Sequence, residues 1–304
     1  MHAPRRHGLA QPGYQPARAD WTVDQDWAAY TAEEHATWRT LYERQTRLLP
    51  ERASRAWLDG LRDLPIAPDR IPDFAALSAA LRARTGWEVV AVPGLVPDEV
   101  FFEHLAQRRF PAGHFIRQPH ELDYLQEPDV FHDVFGHVPM LMNPTMADYL
   151  QAYGEGGLKA RRLGFLPQLA RVYWYTVEFG LIREDGRLRI YGAGIVSSAT
   201  ESVFSLDDAS PNRIAFDLLR VLRTRYRIDD FQESYFVLRD LDQLLELARI
   251  DFEPLYRRAV SLPELEPGEV LPGDVVLHRG SGRYHEARRS AAAAATSSSA
   301  AASR

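Results

Sequence analysis

Glu127-Pro128-Asp129-Val130-Phe131-His132-Asp133-Val134-Phe135-Gly136-His137-Val138-Pro139 combines a helix start, an apolar face and two histidines in thirteen residues. Pro128 and Asp129 suit a helix N-terminus. Val130, Phe131, Val134 and Phe135 supply a face to bury, and Pro139 is expected to end the helix. His132 and His137 are five apart, which on an ideal α-helix separates them by roughly 140°. Left-handed backbone at Gly136 would end the helix and swing His137 back toward His132. The pattern differs from H-E-x-x-H, and the Glu that serves zinc hydrolases as general base is missing. Spacing alone leaves two alternatives open: a metal-binding pair, or two helix-end histidines in structural hydrogen bonds.

Around this stretch the histidines are dense. His104, His114, His120, His132 and His137, five of the ten in the chain, lie between positions 104 and 137. There is no cysteine among the 304 residues, which excludes disulfides, iron–sulfur clusters, thiolate zinc sites and cysteine nucleophiles. Any metal must be held by His, Asp or Glu. Lysine occurs once, at Lys159, so Schiff-base chemistry has a single candidate. The formal charge of −6 argues against a phosphate-binding surface and hence against nucleic acid as partner. A run of about 18 apolar residues occurs nowhere, and no apolar segment follows Arg5 and Arg6, so neither a membrane span nor a secretory signal is expected. These features predict a cytoplasmic protein.

Downstream, Arg171-Val172-Tyr173-Trp174-Tyr175-Thr176-Val177-Glu178-Phe179-Gly180 reads as a helix bracketed by Pro167 and Gly180. Glu178 falls in its last turn among apolar neighbours, where both the helix dipole and the lack of water oppose a bare carboxylate. It needs a cation, either an arginine or a metal. Two histidines and a carboxylate can form the facial triad of non-haem Fe(II) oxygenases, and the same donors also serve catalytic zinc.

Periodicity elsewhere predicts a mainly helical protein with a few short strands. Helices are expected over Asp24–Leu49, up to Leu64, over Phe74–Arg84, from Pro97 to Gln107, over Ile214–Arg225 and over Leu238–Ile250. Strands are expected at Trp87–Val92, Arg187–Tyr191 and Ser234–Val237. The low-complexity Ala/Ser run and the first residues read as loose ends. The domain expectation is a flexible tail over 1–20, one catalytic domain over 21–285 and a disordered tail over 286–304.

Three ordered motifs, Phe131–Pro139, Tyr173–Gly180 and Tyr191-Gly192-Ala193-Gly194-Ile195-Val196-Ser197-Ser198, resemble the pterin-dependent aromatic amino acid hydroxylases, and among them the short bacterial phenylalanine 4-hydroxylases. The resemblance spans roughly Trp21 to His285. It implies a single, mostly helical catalytic domain without a regulatory domain ahead of it, acting as a monomer. It further implies Fe(II), a tetrahydropterin such as tetrahydrobiopterin, O2 as co-substrate, and hydroxylation of L-phenylalanine to L-tyrosine. A tryptophan or mixed-specificity hydroxylase on the same scaffold, a His₂Glu zinc hydrolase and a non-catalytic pterin binder are the alternatives.

Carried onto this chain, the resemblance assigns His132, His137 and Glu178 to the metal. Arg117 is assigned to the substrate carboxylate, with Trp174 and Phe179 as pocket walls and Gly194 and Ser197 beside the substrate. Gly94, Leu95, Val96, Phe101, Asp133 and Tyr173 match the pterin site, and Glu127 is expected to orient the ligand-bearing helix. Three positions at two places depart from the animal enzymes: Leu125-Gln126 stands where they carry Thr-Pro, and Asp98 where they carry serine near the pterin.

Overall fold

The structure, a computed structural model, describes residues 17–123 and 127–291. Helices α1 (Ala32–Leu48), α2 (Arg55–Asp63) and α3 (Phe74–Arg84) precede strand β1 (Glu88–Val92), helix α4 (Asp98–Ala106) and strand β2 (Arg109–Gly113). β1 and β2 pair in parallel, Val92 opposite Gly113, so both strands end at the same place. That place is the candidate site.

The histidine-bearing stretch follows as a π-helical segment, Phe131–His137, which continues into α5 (Val138–Leu141). Next come α6 (Pro144–Leu163) and α7 (Leu166–Tyr173), and α7 runs into a second π-helical turn at Trp174–Glu178. β3 (Leu181–Glu184), β4 (Arg187–Ile190), α8 (Ala193–Val196), α9 (Ala199–Asp207), β5 (Asn212–Ala215), α10 (Leu218–Arg223), β6 (Ser234–Leu238), α11 (Asp242–Ala248), α12 (Glu253–Val260) and β7 (Val276–His278) complete the order. The last five strands form one mixed sheet, β4-β3-β6-β5-β7. As the periodicity predicts, helix dominates.

Aromatic packing anchors the histidine-bearing segment. Phe131, Val134, Phe135 and Val138 are fully buried, each contributing about 1.5–3 kcal/mol of apolar burial. Phe131 stacks on Phe135 at 4.6 Å, Trp38 of α1 meets Phe131 edge-on at 5.2 Å, and Trp57 of α2 meets Phe135 at 5.1 Å. The first two helices are thus the platform on which the two histidines stand.

Several expected boundaries move. The first helix begins at Ala32, not Asp24, because Thr31 and Glu34 form a reciprocal capping box there. Ile214 belongs to a strand, opposite Phe236 of β6, and the helix that follows is capped by Asp217. Sheet pairing decides this segment over local periodicity. Leu238 likewise ends β6 and does not start a helix. Pro139 does not end its helix; it occupies the first turn of α5, where its missing N–H costs nothing. The expected tail boundary at residue 20 falls on a fastened residue: Asp20 pairs with Arg109 at 3.0 Å, and its carbonyl meets His104 Nε2 at 2.8 Å. At the other end, residues 283–291 are helical, so the boundary expected at 286 lies inside a helix. Leu125 and Gln126, and positions 292–304 of the Ala/Ser run, lie outside the described residues.

Candidate active site

A wide turn aligns the two histidines. Gly136 does not adopt left-handed backbone, and the helix does not stop there. The segment is π-helical, with an extra residue per turn, so positions five apart fall on one face and the 140° separation of an α-helix does not arise. His132 Nε2 and His137 Nε2 come within 3.3 Å. Gly136 serves packing instead: a Cβ there would lie 3.0 Å from the Ala193 carbonyl oxygen of α8.

The second π turn delivers the carboxylate. Phe179 N–H reaches back five residues to Trp174 O at 2.8 Å, closing the turn on Glu178. Gly192 presses on the same turn, where a Cβ would stand 2.4 Å from Glu178 O, so only glycine permits this approach. Glu178 Oε1 lies 3.1 Å from His137 Nε2, and Oε2 lies 3.6 Å from His132 Nε2. Among the described residues, this is the one group of three or more His, Asp or Glu side chains whose donor atoms gather closely enough to hold a metal, all within 4.8 Å.

Hydrogen bonding determines how these donors face one another. Ser197 Oγ donates to Ala193 O at 2.7 Å and lies 2.9 Å from His132 Nδ1, so it accepts the Nδ1 proton. His132 is thereby left with a free lone pair on Nε2, aimed at the other two groups. His137 Nδ1 is buried without a hydrogen-bond partner. Burial opposes ionisation of Glu178, but the two histidines and the Gly194 N–H outweigh it and hold the carboxyl below its ordinary value. Burial lowers His132 to about 4, so it is neutral near pH 7. Burial also acts to lower His137, but the charge of Glu178 raises it overall.

This arrangement fits a divalent cation. Ligands about 2.1 Å from one ion and at right angles stand about 3.0 Å apart, close to the separations observed. Two imidazoles and a carboxylate on one face, with no thiolate, are the donors that suit non-haem iron and leave opposite positions open.

The other predicted residues surround this group. Arg117 is buried and already paired: Nε and Nη2 hold Asp129 Oδ2 and Oδ1 at 2.8 and 2.9 Å. Its remaining Nη1 makes only a 3.5 Å contact to Leu122 O. Asp129 also accepts His132 N–H at 3.0 Å, which ties the arginine to the histidine-bearing segment. The sequence marks Asp129 as a helix-start residue; its pairing with Arg117 depends on folding. Burial opposes the Asp129 charge, but Arg117 and these N–H groups keep it below its ordinary value.

Trp174 lies 4.8 Å from Phe179, centroid to centroid, and 4.4 Å from Tyr226, stacked on the latter. Gly194 admits Phe179, whose Cζ would be 2.9 Å from a Cβ there. On the other side of the histidines, Tyr173 lies 6.3 Å from the His137 ring and 5.8 Å from Phe101. Asp133 accepts Gly113 N–H at 2.7 Å from the end of β2, and burial raises its carboxyl to about 7. The hydrogen bond that the Glu127 carboxylate makes is to the loop after β1. The carboxylate accepts Leu95 N–H at 3.3 Å and so braces Gly94–Leu95, with Val96 half-buried beyond. The other histidines of the dense window contribute no donor to this group: His104 binds Asp20 O, His114 Nδ1 binds Val92 O at 3.0 Å, and His120 lies in a short surface turn.

Comparison with known proteins defines the class. The model of the biopterin-dependent aromatic amino acid hydroxylases matches residues 23–258, and the chain belongs to that family. It is 60% identical over 280 residues to a phenylalanine-4-hydroxylase of Caulobacter vibrioides, covering 92% of this chain and 95% of that protein. It is also 60% identical over 267 residues to one of Ralstonia nicotianae, covering 88% and 85% respectively. The iron- and phenylalanine-bound crystal structure of phenylalanine hydroxylase from Chromobacterium violaceum superimposes with a TM-score of 0.83 at 55% identity, covering 87% of this chain and 97% of that one. A cobalt-bound structure of the same enzyme gives 0.84 at 57% identity, covering 86% and 95%.

Proposed function

We propose that this chain is a phenylalanine 4-monooxygenase, converting L-phenylalanine to L-tyrosine with O2 and a tetrahydropterin at Fe(II). The observation that carries this reading is the convergence of His132, His137 and Glu178, with Arg117 and an aromatic wall nearby. Iron and phenylalanine bound together in the Chromobacterium violaceum relative support it.

His132, His137 and Glu178 hold the metal, which together with the pterin supplies oxygen activation when bound. Ser197 keeps His132 in the metal-binding tautomer. Asp129 fixes the plane of Arg117, leaving its outer N–H groups to take the substrate carboxylate in a fork. Trp174 and Phe179 flank the substrate ring, and Gly194 leaves room for that wall. Gly94, Leu95, Val96, Phe101, Asp133 and Tyr173 form the pterin side, with Glu127 bracing its loop. On this reading the chain works as a cytoplasmic monomer; among the described residues no helix is long and apolar enough to cross a membrane.

The test is anaerobic reconstitution with Fe(II), followed by phenylalanine, tetrahydropterin and O2. Tyrosine is the expected product. Iron-loaded protein that forms none overturns the assignment, and turnover of tryptophan alone would transfer it to the tryptophan hydroxylase alternative.

A further inference from the structure

One buried amide outside the site accounts for how the aromatic wall is held. Gln232 lies just before β6 and is almost entirely buried. Its Oε1 accepts the Trp174 indole N–H at 2.8 Å. Its Nε2 donates to Arg227 O at 3.0 Å and to Asp230 O at 3.4 Å. An indole donates only and a carbonyl accepts only, so these partners allow one orientation of the amide. Both carbonyls belong to the 226–230 segment, whose first residue, Tyr226, stacks on Trp174. The main chain at Gln232 is anchored as well: its backbone N–H reaches Glu201 Oε1 at 3.5 Å, and the same oxygen accepts the Tyr235 hydroxyl.

We propose that Gln232 is a positioning residue that sets the width of the substrate pocket. It fixes the Trp174 indole and the Tyr226 ring behind it, and so favours the benzene ring of phenylalanine over the larger indole of tryptophan. This rests on the reading that Trp174 walls the substrate site. Gln232 acts through Trp174 and the segment that carries Tyr226, and it hydrogen-bonds to none of the candidate metal ligands. Removing it changes aromatic discrimination and leaves iron loading alone.

The test uses iron-loaded full chain and three variants: Gln232→Leu, Trp174→Phe and Trp174→Ala. KM, kcat and the ratio of phenylalanine to tryptophan turnover in competition are measured beside iron content. Gln232→Leu and Trp174→Phe remove the two ends of one hydrogen bond. Each is expected to raise KM for phenylalanine and shift the ratio toward tryptophan by about fivefold, the factor expected for one net hydrogen bond, with iron content unchanged. Combining the two should give no further shift. If Gln232→Leu does not fold, Gln232→Asn takes its place, because it keeps an amide but is one methylene too short to hold the Trp174 indole N–H. Unchanged KM and ratio in Trp174→Phe or in the folded Gln232 variant, while Trp174→Ala alters both, overturns the role of Gln232. Unchanged values in Trp174→Ala overturn the pocket reading itself.

Discussion

Ser197 Oγ lies 2.9 Å from His132 Nδ1 while its own proton goes to Ala193 O at 2.7 Å. The hydroxyl can therefore only accept from the imidazole, and His132 presents a bare Nε2 to Glu178 and His137. Ser197→Ala leaves Nδ1–H without this partner and frees the ring to change tautomer. Iron affinity is expected to fall by about 10- to 100-fold, the usual effect of losing such a partner. Anaerobic Fe(II) titration checks this; an unchanged affinity refutes it.

Metal binding should stabilise the fold, because His132 Nε2, His137 Nε2 and Glu178 gather at 3.1–3.6 Å only in the folded chain. Fe(II) at about 100 times its Kd should add about 2.7 kcal/mol to the stability of the native state. Thermal melts with and without the metal measure it. Glu178→Ala should melt at the same temperature in both; a metal-dependent rise persisting in that variant would place the ion elsewhere.

Asp129 is completely buried and holds both Arg117 and the His132 N–H. Asp129→Ala strands a buried guanidinium, at a cost of roughly 3–5 kcal/mol. Urea denaturation should show that loss. Arg117→Lys keeps the charge and loses the fork, so KM for phenylalanine should rise more than kcat falls. A loss confined to kcat would separate Arg117 from substrate binding.

Glu201 supplies a pH signature. Burial raises its carboxyl from 4.5 to about 7, with the Tyr235 hydroxyl and Gln232 N–H opposing and the charge of Asp230 adding. The native state therefore keeps a proton that the unfolded chain releases above about pH 4.5. Stability is fully present below that pH and declines as pH rises toward 7, by about 3 kcal/mol across the interval. Glu201→Gln cannot titrate, so its urea midpoint should gain on wild type between pH 5 and pH 7.5. Parallel profiles for the two proteins would exclude a raised Glu201.

Much of the fold could be read locally. Phe74–Arg84 matches α3, and Arg187–Ile190 and Ser234–Leu238 are strands where β-branched and aromatic runs predict them. Ile214 was legible only as an apolar residue at helical spacing. Its strand conformation depends on Phe236, more than twenty residues away, and no local pattern carries that partner. The same limit hides Gln232 as the partner of the Trp174 indole and Asp129 as the partner of Arg117.

By itself the sequence determined the chemistry available: no thiolate, a cluster of histidines, one carboxylate in an apolar helix end, and three ordered motifs that assign them. Tertiary structure decided how those groups meet. Side-chain type is a local property, whereas convergence depends on turn geometry and on packing between distant segments. His132 and His137 share a face because the turn is π-helical, and Glu178 reaches them because Gly192 lets two backbones approach. Neither was readable from residue spacing, which taken as α-helical placed the two histidines on different faces.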